Sequence, residues 1–125
     1  MKRIIKTDKS PAAIGPYSQA IESNGTLYIS GQVPIDPATG KLVEGDIAEQ
    51  THRVLKNIAA ILNAAGYNFS NVVKSTCLLA NMDDFKAMNE VYSQYYTENP
   101  PARAAYGVVK LPLGALIEIE TIAVK

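Results

Sequence analysis

Apolar residues recur with a period of two towards both ends of this chain and with a period near 3.6 in its middle, so the pattern divides it into strands and helices. Arg3-Ile4-Ile5-Lys6 reads as a short first strand. Ser10-Pro11-Ala12-Ala13-Ile14-Gly15-Pro16 holds two prolines and a glycine, which force an irregular loop. Tyr17 to Glu22 alternates loosely, as a strand does, and Asn24-Gly25 is a two-residue hairpin signal. Thr26 to Ser30 completes the hairpin. Gly31 comes directly after it, where a backbone without a side chain admits a ligand or another chain. Pro34 to Gly40 reads as a turn-rich loop.

From Asp46 the period changes. Ile47, Thr51, Val54, Leu55, Ile58, Leu62 and Ala65 fall three and four apart, the mark of a helix with one apolar face. Asp46 is placed as its N-cap, Glu49 completes a capping-box pair, and Gly66 is placed to stop it. Val72 to Ala80 is a near-continuous apolar run, the kind of strand that is buried on both faces. Asp83 is expected to cap a second helix whose apolar face is Phe85, Met88, Val91, Tyr92 and Tyr95, and Asn99-Pro100-Pro101 ends it. Arg103 to Val109 and Leu116 to Val124 read as closing strands, with a turn at Leu111-Pro112-Leu113-Gly114.

The expected order is β-β-β-α-β-α-β-β, an α+β chain. Its two helices cover one sheet face and leave the other open. An uncovered apolar sheet face calls for another subunit. The length of 125 residues predicts one domain, 1–125.

Composition narrows the function. Twelve basic and twelve acidic residues give zero net charge, and only 19% of residues are charged. Such a chain lacks the cationic surplus that phosphate backbones demand, so a nucleic-acid partner is not expected. The low charge fits a surface that is partly hidden from water. Cys77 is the one cysteine, which excludes an internal disulfide and fits a reducing, cytoplasmic setting. It reads as a small buried hydrophobe or as a nucleophilic thiol. Met1-Lys2-Arg3-Ile4-Ile5-Lys6 is basic but has no apolar core of a secretory signal, and no run reaches the length of a membrane helix. With one histidine and one cysteine, no zinc site of His and Cys ligands is expected, and no nucleotide-binding glycine motif is present. His52 reads as a solvated helix residue.

Polar residues in apolar strands carry the remaining signal. Arg103 lies among Ala102, Ala104 and Ala105, and its fork suits a carboxylate. It reads equally as a solvated edge-strand arginine. Glu118 and Glu120 share one face of the last strand, opposite Ile117 and Ile119 and followed on their own face by Ile122 and Val124. Such a carboxylate either holds a water and moves a proton or faces solvent. Tyr17, its backbone set by Gly15-Pro16, walls a pocket or simply packs. Asn89 reads as a mid-helix amide.

At these residues the chain resembles the reactive-intermediate deaminases, the RidA/YjgF family. The shared motifs are Ala12-Ala13-Ile14-Gly15-Pro16-Tyr17-Ser18-Gln19, Ser30-Gly31-Gln32-Val33-Pro34, Asn89-Glu90-Val91-Tyr92, Pro101-Ala102-Arg103, and Ile117-Glu118-Ile119-Glu120 with Ile122-Ala123. The resemblance spans essentially the whole chain. It implies a chorismate-mutase-like (YjgF-type) α+β fold, a mixed β-sheet with two helices on one face, assembled as a homotrimeric barrel with ligand clefts between subunits. It implies hydrolysis of enamines and imines, such as 2-aminoacrylate and 2-iminobutanoate, to 2-keto acids and ammonia, with no cofactor and no metal. By the same resemblance Arg103 binds the substrate carboxylate and Glu118 positions or activates water. Tyr17, Gly31 and Asn89 line the cleft, and Ala105 meets the ligand through its backbone. Many members carry Ser-Cys or Ser-Thr after the arginine, where this chain has Ala104-Ala105, so a side-chain hydrogen bond there is lost. Two other readings stand beside the deaminase: a non-catalytic binder of small 2-keto or imino acids, motivated by Ala105, and a ribonuclease or translation inhibitor.

Overall fold

The computed structural model describes residues 1–125. Six strands form one sheet: β1 (Lys2–Ile5), β2 (Ala20–Ser23), β3 (Thr26–Gln32), β6 (Val72–Leu79), β7 (Ala102–Gly107) and β8 (Ile117–Val124), in the spatial order β1-β2-β3-β8-β6-β7. Two-residue strands β4 (Ile35–Asp36) and β5 (Lys41–Leu42) pair apart from it. Every neighbouring pair in the main sheet is antiparallel except β6 and β7. That parallel pair is spanned by helix α2 (Phe85–Tyr95), whereas α1 (Ile47–Ala65) joins β5 to β6.

Local chemistry accounts for most boundaries. Asn24 and Gly25 both take positive φ, 51° and 77°, as the tight β2–β3 turn demands. Asp46 caps α1, its side chain accepting from Glu49 N at 3.0 Å. The reciprocal bond of the expected capping box does not form; the Glu49 carboxylate lies over Gly45 instead. Gly66 ends α1 at φ 83°. Arg3 Nη2 and Lys125 Nζ then donate to the carbonyls of Ala65 and Gly66 at 3.1 and 3.0 Å, so both chain ends close the C-terminus of α1 with positive charge.

Several boundaries differ from the expected ones. The strand expected from Tyr17 starts at Ala20, because Tyr17 to Gln19 belong to the preceding loop. The Pro34–Gly40 loop holds the start of the β4–β5 hairpin. Asp83 does not cap α2: the Asn81 side chain accepts from Asp83 N across one 3-10 turn, Met82–Asp84, and α2 follows with no side-chain cap. β7 ends at Gly107, and the Val108 amide bonds Leu79 carbonyl instead. Val72–Leu79 is not buried on both faces but alternates: Ser75, Cys77 and Leu79 face the helices, while Lys74, Thr76 and Leu78 are only half-covered.

The core is one cluster of 22 buried residues from β1, β2, β3, β6, β8, both helices and the loop after α1. It fills the space between the helices and one face of the sheet. The other face carries an apolar row across the strands, Ile4–Ile21–Tyr28–Ile122, in which Ile4 is 62% and Tyr28 50% exposed. No helix is long and apolar enough to cross a membrane. Replacing Asp46 by Ala removes the cap of the longest helix and should cost about 1 kcal/mol. It is read as a lowered urea midpoint with an unchanged denaturant slope.

Candidate active site

The period-two alternation of the strands decides where the site residues go. Arg103 on β7 lies in register with Ser75 on β6, and Ser75 with Thr121 on β8; both partners are buried, so this row faces the helices. Glu118 on β8 lies in register with Leu78, and Leu78 with Tyr106, on the open face. Arg103 and Glu118 thus occupy opposite faces of one sheet, two strands and three residues apart, a Cα separation of roughly 14 Å. One small ligand cannot touch both within a protomer.

On the open face, Glu118, Gly31 and Tyr17 line one cavity of about 300 Å³, with Ile14, Val33 and Leu113 among its apolar walls. Between Ile29 and Gln32, β3 carries one residue more than β8, a bulge that lifts Ser30 and Gly31 out of register. The Glu118 carboxylate lies directly over Gly31, where a β-carbon would collide with it. This is the close approach expected at Gly31, made by a side chain of the same protomer. Burial among these apolar walls, and then the neighbouring Glu120 charge, hold the Glu118 carboxyl above the usual carboxylate range. Tyr17 is 51% exposed, its amide bonded to Gly15 carbonyl at 2.8 Å.

The loop carrying Tyr17 is clasped by Gln19, which sequence reasoning passed over. Its buried amide accepts from Thr7 N at 2.7 Å and donates to Thr7 O, Ser10 Oγ and Pro11 O at 2.8–3.0 Å. Only its place between two prolines and a strand signals such a role.

On the helix face, Arg103 Nη1 donates to Asn89 Oδ1 at 2.6 Å. The guanidinium also lies 5.4 Å from the Phe85 ring centre and 5.0 Å from that of Tyr92. Each such contact contributes roughly 0.5–1 kcal/mol at a partly exposed site. Arg103 and Asn89 border a second cavity of about 470 Å³ with Tyr92, Tyr96 and Pro101. Arg103 is exposed and has no carboxylate partner; the one ion pair of the chain joins Arg3 to Glu22. Asn89 is therefore an engaged amide. Ala105 lies on the Arg103 face of β7, half-buried against the core in register with Cys77, and lines neither cavity.

Two residues set aside by sequence also find places. Cys77 is fully buried and its thiol is pushed up to about 11 by burial, so it packs as a hydrophobe. His52 is half-buried and not simply solvated: its Nδ1 lies 2.8 Å from Tyr95 Oη and joins α1 to α2.

A one-sided mixed sheet with an exposed arginine lacking a carboxylate partner on one face and a half-buried carboxylate on the other defines an α+β protein with a polar group beside a cavity on each face. Residues 7–125 match the endoribonuclease L-PSP family, and the chain belongs to it. It is 54% identical to human 2-iminobutanoate/2-iminopropanoate deaminase over 125 residues, all of this chain and 91% of the relative. Among solved structures it is similar to a member of the conserved Rid family from Yersinia pestis, with a TM-score of 0.98, 49% identity and all of both chains covered. It is also similar to RidA from an Antarctic Psychrobacter, with a TM-score of 0.95, 46% identity, and 98% of this chain and 99% of that one covered. The fold expected from the RidA/YjgF resemblance, a mixed sheet with two helices on one face, is the fold observed.

A carboxyl whose folded pKa is raised binds its proton more tightly in the folded state, so stability falls as pH rises through that pKa. Glu118→Gln removes the charge that burial disfavours. The variant should melt higher than the parent at pH 7 and level with it near pH 4, as followed by calorimetry across that range.

Proposed function

We propose that this protein is a 2-iminobutanoate/2-iminopropanoate deaminase, converting reactive enamines and imines to 2-keto acids and ammonia. The single observation that carries this reading is the pair of complementary half-sites, an arginine with no carboxylate partner and a carboxyl partly withdrawn from water. The name of the human relative supports the substrate class.

Because the halves lie on opposite faces, the working site forms between copies. Arg103 of one protomer meets Glu118 of the next, in a homotrimer whose sheets come together over the open apolar face. Ile4, Ile21, Tyr28 and Ile122 support this assembly, since they form a patch that water alone would leave uncovered. Residues 1–125 act as one domain in the cytoplasm, with no cofactor, metal or nucleic acid.

The chemistry follows from the groups. An enamine such as 2-aminoacrylate tautomerises to its imine. Arg103 takes the carboxylate, with Asn89, Tyr17 and Gly31 bounding the space and the Ala105 backbone near the clamp. C2 then faces a water beside Glu118. As the water oxygen bonds C2, Glu118 accepts the water proton, the C=N π pair moves to the nitrogen, and Glu118 returns that proton to the nitrogen, giving a neutral carbinolamine. Glu118 then takes the carbinolamine hydroxyl proton as C=O forms and passes it to the nitrogen as the C–N bond breaks, so that ammonia leaves the 2-keto acid. A carboxyl held above its usual range by burial is a stronger proton acceptor once ionised than a solvated carboxylate. Imines hydrolyse slowly unaided, so positioning and one proton relay suffice.

Arg103→Ala and Glu118→Gln should each lower kcat/KM by ~10²-fold or more in an assay coupling a dehydratase to semicarbazide trapping of the imine. Unfolded and refolded together in equal amounts, the two inactive variants should regain about a quarter of parental activity, since that share of mixed clefts holds both intact residues. Full activity in Arg103→Ala overturns the deaminase reading, and absence of any recovery in the mixture overturns the shared cleft. Calorimetric binding of 2-oxobutanoate without turnover would instead identify a non-catalytic binder.

A further inference from the structure

Arg103 is held by a single stripe of α2. Phe85, Asn89 and Tyr92 stand at i, i+4 and i+7, which places all three on one side of the helix. The two rings lie 5.4 and 5.0 Å from the guanidinium carbon, and the amide between them accepts from Nη1. The rings are not equivalent. Phe85 is half-buried, but Tyr92 is only 6% exposed. Its hydroxyl is fully buried beside Ser75, the residue in register with Arg103. The ring of Tyr92 is thus wedged between core and guanidinium. Asn89 engages Nη1 alone; Nε and Nη2 have no hydrogen-bond partner in the protein.

We propose that Tyr92 is a positioning residue: its ring, braced by the core, fixes the guanidinium plane of Arg103 against Phe85 so that the Nε–Nη2 edge stands free for the carboxylate of a small 2-imino or 2-keto acid. This deepens the reading of Arg103 as the carboxylate clamp and rests on it. A long cation ordered before the ligand arrives loses less rotamer freedom on binding, and binding is where the gain is expressed. The carboxylate stays in the clamp from ground state to transition state, so the effect falls on KM and not on kcat. The aromatic face does the positioning, because the ring lies against the guanidinium while the hydroxyl is buried beside Ser75.

The test uses the full chain with Tyr92→Leu and Tyr92→Phe. Three quantities are read: steady-state constants with an imine substrate, the calorimetric Kd of 2-oxobutanoate, and the 15N-resolved Nε–H signal of Arg103 without ligand. Tyr92→Leu should raise KM and Kd about tenfold while kcat stays within about threefold. It should also move the Nε–H signal from its ring-shifted position towards that of a solvated arginine. Tyr92→Phe, which keeps the ring, should bring all three back. An unchanged Nε–H signal or unchanged Kd in Tyr92→Leu overturns the proposal, as does a Tyr92→Phe protein that behaves like Tyr92→Leu. Should Tyr92→Leu fail to fold, Tyr92→Met fills the same space without a ring and is read by the same criteria. If the parent protein neither turns over imines nor binds 2-oxobutanoate, the clamp reading fails, while the Nε–H signal still decides whether Tyr92 orders Arg103.

Discussion

One step along a strand carries a side chain from one face of a sheet to the other, and in this molecule only one of those faces is covered. Everything else follows from that alternation. Ile117, Ile119 and Ala123 enter the core, while Glu118, Glu120, Ile122 and Val124 stand on the open side. On β7 the same rule sends Arg103 towards α2 and Ala104 away from it. A slip of one residue in β8 would put two carboxylates into the core. The register that protects the core therefore also sets Arg103 and Glu118 on opposite faces of the sheet.

Beyond Gly31, Gln32, Ile35 and Glu118, which lie on strands, the walls of the Glu118 cavity are loop segments that a sheet cannot hold in place by its ladder. Three buried amides do so. Gln19 gathers the 7–11 segment, Asn57 donates to the carbonyls of Val33 and Ile35 at 3.3 and 2.9 Å, and Gln50 accepts from Leu116 N at 2.8 Å, just beyond the Pro112-Leu113 wall. Each is at most 5% exposed. Removing one would leave buried backbone groups unpaired, at roughly 1–3 kcal/mol for each group. Two of the three come from α1, so the longest helix serves the cavity as a source of hydrogen bonds as well as a lid on the core.

Much of this was legible in the sequence because it is local. The α1 stripe, its Asp46 cap and its Gly66 stop are set within a few residues, as is the Asn24-Gly25 turn. The facing of Glu118 and Glu120 needs nothing beyond the period of a strand. What escaped is set by partners far along the chain. The run Val72–Leu79 is apolar enough for a strand buried on both faces, yet in the single protomer one side of it stays half-covered. Asn89 and His52 read as solvated until tertiary packing brings Arg103 and Tyr95 to them across 14 and 43 positions. Gln19 is a polar residue doing the work of a turn, and no local pattern distinguishes it from a solvated amide. Asp83 had the right chemistry for a cap, but Asn81 spends one 3-10 turn first.

The stripe on α2 also bears on how such a chain can change over evolutionary time. A helix turns by about 100° for every residue, so inserting or deleting a single position between Phe85 and Tyr92 would rotate one ring out from under the arginine while leaving the helix itself intact. The short hairpin of Ile35–Asp36 and Lys41–Leu42 has no such phase to keep, and Gly40 at its tip has open space around it. An added or lost residue is accordingly accommodated at that hairpin tip and costly within the eleven residues of α2, where one angular phase serves both the buried Met88, Val91 and Tyr92 and the arginine beside them.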